Sequence, residues 1–325
     1  MNLDTAEATA VDSMLLRCVL YLIGDAAMKT LRSGAISISR VAETERFLCD
    51  PTWLYPAVTP EIVARNKNWL DNRFIDAATG KLVLAMQSFI IQTRQRNILV
   101  GTGNGNNKRR PDALWQHNLN TPYLRNFAAA GLRPEDIDYV LCTHLHSDQV
   151  GWNTMLVDGK WVPTFPNAKY LFCAEDFDRL NRRHQTGSAD PTGGSAFADS
   201  VLPVMEARQA LLIEMDHVIE QNGDDGVWLE GTPGHTAGHV SVHVKDGGFH
   251  AVLAGDLLHH PIQLTELDLV PRADADPTEA AFSRRRLLQS YADTQTIILP
   301  AHFPDPVAGR IVGWGEQYRF RWLER

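Results

Sequence analysis

An α/β fold is predicted for this chain of 325 residues. Short apolar runs typical of buried strands alternate with segments that carry helix start signals. The predicted strands cover residues 88–93, 97–100, 137–142, 251–255 and 296–301. The predicted helices cover residues 120–130, 201–212 and 277–291. A further observation supports this class: polar side chains of the metal-binding kinds stand directly after several of the strands.

The amino-terminal part is expected to hold strands and one helix. Residues 1–45 look like opening strands, and 50–80 look like a loop and a helix. Thr59 is the predicted N-cap of that helix, with Pro60 at its first position. The two strands at 88–93 and 97–100 are close enough in sequence to form a hairpin.

Two loops carry composition signals. The segment 101–107 is rich in glycine and asparagine, but no helix opens directly after it and no Gly-Lys-Ser/Thr follows. We therefore interpret it as a turn beneath the candidate site and not as a phosphate cradle. The segment 187–200 is rich in Gly, Ser, Pro and Asp, which predicts a mobile loop over the site.

The most informative motif follows the strand at 137–142. His144, His146 and Asp148 fall at alternating positions directly after this apolar run. A buried strand that ends in such a cluster delivers polar side chains to one end of a sheet. Neutral imidazole and carboxylate are ligands that zinc and similar metals prefer.

Three further motifs place similar ligands in similar contexts. His235 lies in Gly-His-Thr-Ala-Gly-His, Asp256 follows the strand at 251–255, and His302 follows the strand at 296–301. Binding residues collect on loops that a rigid scaffold positions. The sequence therefore predicts that four strand ends converge on one metal site.

Taken together, the four ordered motifs resemble the metallo-β-lactamase-fold metallohydrolase superfamily, from about Gln87 to about Asp305. The resemblance implies an αββα sandwich of two mixed β-sheets flanked by helices, with the metal site at one edge. It implies a first metal on three histidines, a second metal on Asp148, position 149 and His302, and a bridge from Asp256. The three histidines are His144, His146 and His235.

One departure from the family pattern concerns the second metal. The family usually has a histidine after the aspartate, whereas this chain has Gln149. A neutral amide is a poor zinc donor beside imidazole. We therefore expect one tightly bound Zn²⁺ and a second ion that is weak or absent.

Several nearby residues are candidates for supporting roles. We expect Gln149, His239, His260 and Trp152 to lie in the pocket or behind the ligands, and His239 to fix the loop that carries His235. His259 is either a pocket residue or an exposed loop histidine. Five tryptophans either line an apolar substrate cavity or belong to the core. They are Trp53, Trp69, Trp115, Trp152 and Trp161.

The expected chemistry is hydrolysis by a metal-bound hydroxide, because zinc lowers the pKa of bound water to about 7. Asp148 and Asp256 are the expected catalytic residues. Asp148 either ligates a second metal or orients the bound water and takes its proton.

The substrate stays open among different classes of function. The segments 151–154 and 161–168 resemble the branch that holds lactonases and methyl parathion hydrolase. The chain length and the weakened second site resemble those of zinc-dependent hydrolytic dehalogenases that act on chlorothalonil-like aromatics. We favour this hydrolytic dehalogenation as the function. The alternative is a lactonase, or a hydrolase of esters or phosphotriesters. The third hypothesis is a non-catalytic metal-binding relative.

Composition excludes some partners. The net charge of −8 and the pI near 5.8 argue against nucleic acid as a partner. No apolar run approaches the roughly 18 residues of a membrane span. We expect a cytoplasmic protein with a small-molecule substrate. We also expect one hydrolase domain over 1–325, in which the extension 1–80 helps to form the pocket or a homodimer.

Overall fold

The computed structural model describes residues 19–20, 30–188 and 196–323. Ten strands lie in the amino-terminal two thirds: β1 (Val19–Leu20), β2 (Thr30–Ser33), β3 (Ile36–Cys49), β4 (Leu82–Gln92), β5 (Asn97–Val100), β6 (Tyr139–Leu141), β7 (Thr154–Val157), β8 (Lys160–Pro163), β9 (Lys169–Cys173) and β10 (Ala210–Ile213). The remaining strands are β11 (Val218–Asn222), β12 (Asp225–Gly231), β13 (Val240–Asp246), β14 (Phe249–Gly255), β15 (Ile297–Pro300), β16 (Gly309–Trp314) and β17 (Gln317–Trp322).

The α-helices are α1 (Pro51–Leu54), α2 (Pro60–Asn66), α3 (Tyr123–Ala129), α4 (Ser147–Val150), α5 (Ala174–Thr186), α6 (Leu202–Glu206) and α7 (Pro277–Tyr291). Short 3₁₀ turns lie at Leu114–Gln116, Pro134–Asp136, Gly151–Asn153 and Pro261–Leu264, and a π-helical turn lies at Phe197–Val201. Within the described ranges, no helix is both long and apolar enough to cross a membrane.

The first sheet runs in the order β1-β3-β4-β5-β6-β9-β10, with β2 paired to β3. Its antiparallel part contains the predicted hairpin, in which β4 and β5 pair with Gln92 opposite Asn97. From β5 onward the neighbours β6, β9 and β10 pair in parallel. Parallel neighbours end at the same edge of a sheet, so the loops that follow them meet there.

The second sheet runs in the order β11 to β17, and its one parallel pair is β14 with β15. Its inner face packs against the first sheet in one apolar cluster, where Ile91 and Leu171 meet Val242, Val252 and Ile298. On the outer face of the first sheet lies a second cluster, to which α3 contributes Tyr123 and Phe127. Helix α7 adds Leu287 and Leu288 to the cluster of the second sheet. This arrangement is the expected αββα sandwich.

The described part of the amino-terminal extension joins the first sheet and one wall of the protein. β3 pairs with β4 over most of its length. Helices α1 and α2 pack with β3, β4 and Ile262 in a third apolar cluster. As predicted, Thr59 caps α2, since its side chain accepts a hydrogen bond from the backbone N–H of Ile62. Residues 1–18 and 21–29 of the predicted opening strands lie outside the described residues.

The predicted helix over 201–212 is wrong in its second half. The helix α6 ends at Glu206, and Arg208 has a φ of 56°, a left-handed conformation that breaks a helix. Ala210–Ile213 then pairs in parallel with β9, whose edge supplies hydrogen bonds that a sequence pattern does not reveal. In the predicted mobile loop, residues 189–195 lie outside the described residues, while Phe197 and Val201 are buried.

Candidate metal centre

Four loops at one edge of the sandwich carry the predicted ligands. His144 follows β6, His235 lies between β12 and β13, Asp256 follows β14, and His302 follows β15. Two backbone hydrogen bonds connect the loops after β6 and β15 to the opposite sheet. Val240 N donates to the Thr143 carbonyl at 2.9 Å, and Ala85 N donates to the His302 carbonyl at 2.9 Å. The predicted convergence of strand ends is therefore present in the fold.

Three histidines form the first potential metal position. Ligand atoms of His144, His146 and His235 all lie within 4.8 Å of one another. His146 Nδ1 and His235 Nε2 are only 2.9 Å apart. His144 Nε2 is buried and has no hydrogen-bond partner. Converging nitrogens, one of them buried without a partner, fit a cation that accepts their lone pairs.

Electrostatics favour the metal-binding form of two of these rings. Burial lowers the pKa of His144 and of His146 well below the usual value. Both imidazoles are therefore neutral at pH 7, which is the form that ligates a metal. His235 differs, because burial alone would lower its pKa but contacts with Asp274 and Asp256 raise it. A bound cation competes with that proton.

The second potential position is formed by Asp148, Asp256 and His302, whose ligand atoms also lie within 4.8 Å of one another. His302 Nε2 is 3.2 Å from Asp256 Oδ2 and 3.6 Å from Asp148 Oδ2. Asp256 Oδ2 is also 3.3 Å from His235 Nε2. Asp256 therefore stands between the two positions, as a bridging carboxylate does.

The ionisation state of Asp256 suits its location between the two potential metal positions. Burial alone would raise its pKa, but the imidazoles of His302, His144 and His259 hold the pKa well below its usual range. An ionised carboxylate surrounded by imidazoles is a suitable ligand for a divalent metal.

Gln149 reaches the second position but offers the wrong group. Its Nε2 is 3.4 Å from both Asp256 Oδ1 and His302 Nε2. An amide nitrogen is a hydrogen-bond donor without an available lone pair, so it does not ligate a metal. The second position therefore keeps two carboxylates and one imidazole from the predicted set.

His259 is a pocket residue, and only the structure resolves this choice. Its Nε2 is 3.3 Å from Asp256 Oδ2, and its ring stacks on His302 with 5.7 Å between centroids. His235, Asp256 and His259 form a third group of ligand atoms within 4.8 Å. In the sequence, the only signal for His259 is that it lies three residues after Asp256. That spacing does not predict the direction of its side chain.

Residues behind the ligands orient them, and one of these was missed in the sequence. Asp274 Oδ1 is 2.8 Å from His235 Nδ1, and Arg284 Nη2 is 3.4 Å from Asp274 Oδ2. A carboxylate behind a ligating imidazole fixes its tautomer and ring orientation. His239 has a related part: its Nε2 accepts from the backbone N–H of Asp256 at 3.0 Å.

The glycine- and asparagine-rich segment 101–107 supports the site from beneath. Thr102 N donates to the Gln149 carbonyl at 2.8 Å, and Gly151 N donates to the Gly103 carbonyl at 2.7 Å. The carboxylate of Glu43 accepts from the backbone N–H groups of 104 and 105 at 2.7 and 3.1 Å. This agrees with a turn beneath the site and not with a phosphate cradle.

Four candidate residues do not line the cavity at the ligands. His260 Nε2 donates to the Phe74 carbonyl at 2.8 Å, because neighbouring side chains point in different directions and His259 occupies the pocket side. Trp152 Nε1 donates to Glu43 at 2.8 Å, inside the core. The Nζ atom of Lys108 lies 3.6 Å from the centre of the Trp161 ring. The Cζ atom of Arg319 lies 4.8 Å from the centre of the Trp69 ring. For Trp69, Trp152 and Trp161, the alternative of lining the cavity is therefore wrong, and Trp152 belongs to the core. His260 does not line the cavity either.

Trp53 and Trp115 do line the cavity, which opens directly onto the candidate ligands and measures about 110 Å³. Its far wall is apolar and comes largely from the amino-terminal extension and from β4. The wall residues are Phe47, Trp53, Leu54, Leu84, Met86 and Trp115. The site therefore combines a polar, metal-binding floor with an apolar wall, the usual character of a small-molecule site.

Comparison with known proteins assigns the family. The sequence profile described as "Metallo-beta-lactamase superfamily" matches residues 84–302, which is more than half of the chain. The chain belongs to the metallo-β-lactamase superfamily. This membership confirms the predicted family and makes the protein a metal-dependent hydrolase.

Relatives and solved structures agree with this assignment. An N-acyl homoserine lactonase of Bacillus thuringiensis is 24% identical over 247 residues, covering 72% of this chain and 88% of that protein. The hydrolase AbOPH of the beta lactamase superfamily superposes with a TM-score of 0.73 at 22% identity, covering 93% and 99% of the two chains. AidC, described as a dizinc quorum-quenching lactonase, superposes with a TM-score of 0.71 at 18% identity, covering 92% of this chain and 98% of AidC. Similarities at this level of identity establish the shared fold.

Proposed function

We propose that this protein is a zinc-dependent hydrolase that opens a lactone, or cleaves an ester, carrying a small apolar group. The observation that carries the proposal is the cavity in which an apolar wall faces the candidate ligands. An acyl chain fits the wall, while a carbonyl group reaches the floor. Similarity to an N-acyl homoserine lactonase supports the lactone as the first substrate to test.

The donor set fits zinc. Three imidazoles and the ionised Asp256 are nitrogen and oxygen ligands of the kind that catalytic zinc sites use. When bound, zinc supplies a water of lowered pKa and a Lewis acid that polarises a carbonyl. We propose that His144, His146 and His235 hold one ion tightly. At the second position, Gln149 replaces a strong ligand, so a second ion binds weakly or not at all.

The chain's own residues supply positioning and proton transfer. The Asp148 carboxylate lies at the cavity floor, 3.6 Å from His302 Nε2. There it can accept a proton from water and pass it to the leaving alkoxide. His302 is held by its Nδ1–H, which donates to the Ala85 carbonyl at 3.1 Å. The apolar wall receives the acyl chain and keeps bulk water away from that part of the substrate.

A substrate panel tests the proposal. Purified enzyme is assayed on a six-carbon N-acyl homoserine lactone by proton release and on chlorothalonil by chloride release, each with and without a chelator. Chelator-sensitive opening of the lactone is the expected result. Chloride release without lactone opening would favour the dehalogenase reading, and no turnover of either substrate would favour a non-catalytic metal-binding relative.

A homodimer formed through the amino-terminal extension, and a cytoplasmic location, stay proposals. Light scattering of the full chain, compared with a variant that carries Trp53→Ser, tests the dimer. Trp53 is an exposed large apolar side chain of this extension, with 39% of its surface accessible. A monomeric mass for the unaltered protein would contradict the dimer.

A further inference from the structure

A second cavity of about 310 Å³ adjoins the first at the metal-binding floor. The two cavities share His146, Arg272 and Ala273 in their walls. Helix α5 forms one side of the second cavity, and residues 272–275 form another. A substrate whose reacting bond lies on the floor can therefore extend one group into this space, which we call the arginine cleft.

Three guanidinium groups line the arginine cleft: Arg179, Arg183 and Arg272. Arg179 and Arg183 are one helical turn apart on α5, so their side chains lie on the same helix face. Arg272 Nε donates to the Trp53 carbonyl at 2.9 Å. Across the part of the chain that the structure describes, none of the three has a carboxylate within ion-pair distance.

The carboxylates in the same wall are already engaged. Asp176 accepts from Thr236 Oγ1 and from Gly238 N, both at 2.7 Å. Asp274 contacts His235 and Arg284. Three guanidinium groups stand against these two carboxylates, so the cleft has an excess of positive charge in a chain whose net charge is −8. Clefts of one sign concentrate ligands of the opposite sign.

We propose that the arginine cleft binds an oxyanion, a carboxylate or a phosphate group, on the substrate of the hydrolase. This inference rests on the proposed function, because it assumes that the reacting bond lies on the shared floor. The planar guanidinium group forms paired hydrogen bonds to such oxyanions. The preferred substrate then has an apolar part against the tryptophan wall and an anionic part beside α5.

A binding measurement tests this without relying on turnover. Calorimetry on the zinc-loaded enzyme measures the Kd of glutarate and of inorganic phosphate, for the unaltered protein and for the Arg179→Gln/Arg183→Gln double variant. The matched control is Arg182→Gln, because Arg182 is on the same helix but is exposed and outside the cleft. We expect the double variant to weaken binding about tenfold or more, as loss of charged hydrogen bonds does, and the control to leave it unchanged.

The two probes separate the sources of the anion. Tighter binding of glutarate assigns a carboxylate, and tighter binding of phosphate assigns a phosphate group. Absence of binding to the unaltered protein, or equal weakening in the double variant and the control, overturns the inference. Zinc content and the melting temperature of each variant show that its fold is intact. Since the readout is binding, failure here is distinguishable from failure to open a lactone.

Discussion

Zinc affinity should depend on Asp274, a residue that does not touch the metal position. Its Oδ1 is 2.8 Å from His235 Nδ1, and both side chains are only 1% exposed. Water therefore screens this charged hydrogen bond little. The substitution Asp274→Asn keeps the shape of the side chain but removes the charge that orients the His235 ring and raises its basicity.

The size of the effect follows from this geometry. Loss of an outer partner of a ligating histidine typically weakens metal binding about 10- to 100-fold. That range corresponds to about 1.4–2.7 kcal/mol of binding free energy. Titration of the metal-free variant with zinc, in competition with a chelating dye, measures the Kd directly.

A matched control separates orientation of His235 from general damage. Asp176→Asn alters another buried aspartate, which hydrogen-bonds to Thr236 and Gly238 and acts on His235 only at longer range, without a hydrogen bond to its ring. Arg284 keeps hydrogen bonds to the carbonyls of Leu257 and Leu269 in the Asp274 variant, so the fold should persist. An unchanged zinc Kd in Asp274→Asn, or an equal loss in both variants, would refute the reasoning.

Three further predictions concern the second metal position, the apolar wall and a buried lysine. Gln149 Nε2 is 3.4 Å from the Asp256 and His302 ligand atoms, so Gln149→His should place an imidazole beside them and raise the zinc content from one tightly bound ion to two. An unchanged zinc content in elemental analysis would show that geometry, and not ligand type, limits the second position. Trp115→Ala removes wall area and should raise KM for a six-carbon acyl lactone more than it changes kcat, whereas an unchanged KM would put the acyl chain elsewhere. Burial lowers the pKa of Lys108 from 10.5 to about 7, so the folded state binds fewer protons than the unfolded state between these values. The free energy of unfolding should therefore rise with pH across this window, relative to that of Lys108→Met. Urea unfolding measures both proteins at pH 7 and pH 10, and the same difference between them at both pH values would contradict the prediction.

Much of the site could be predicted because its ligands sit close to strand ends. An apolar run followed by alternating histidines and an aspartate is a local pattern, and the run that becomes β14 places Asp256 by the same logic. Parallel pairing of β14 with β15 then brings the His302 loop to the same edge. Thr59 and Pro60 similarly mark a helix start by local hydrogen bonding alone.

Other features depend on contacts between distant segments. Helix α5 was not predicted, although acidic residues in its first turn and Gly187 after its end are local signals. The edge of β9 turns 210–213 into a strand, because available hydrogen-bond partners outweigh a helical pattern.

By itself, the sequence determined the family, the strand ends that carry the candidate ligands, and the glutamine at position 149 where the family usually has a histidine. Only the tertiary structure decided that His259 faces Asp256 while His260 caps a 3₁₀ turn, that Asp274 stands behind His235, and that three arginines share one cleft. The physical reason is distance along the chain. A ligand motif consists of a few residues that are close in the sequence. The direction of a side chain, and the groups that it contacts, depend on which distant segments pack against it.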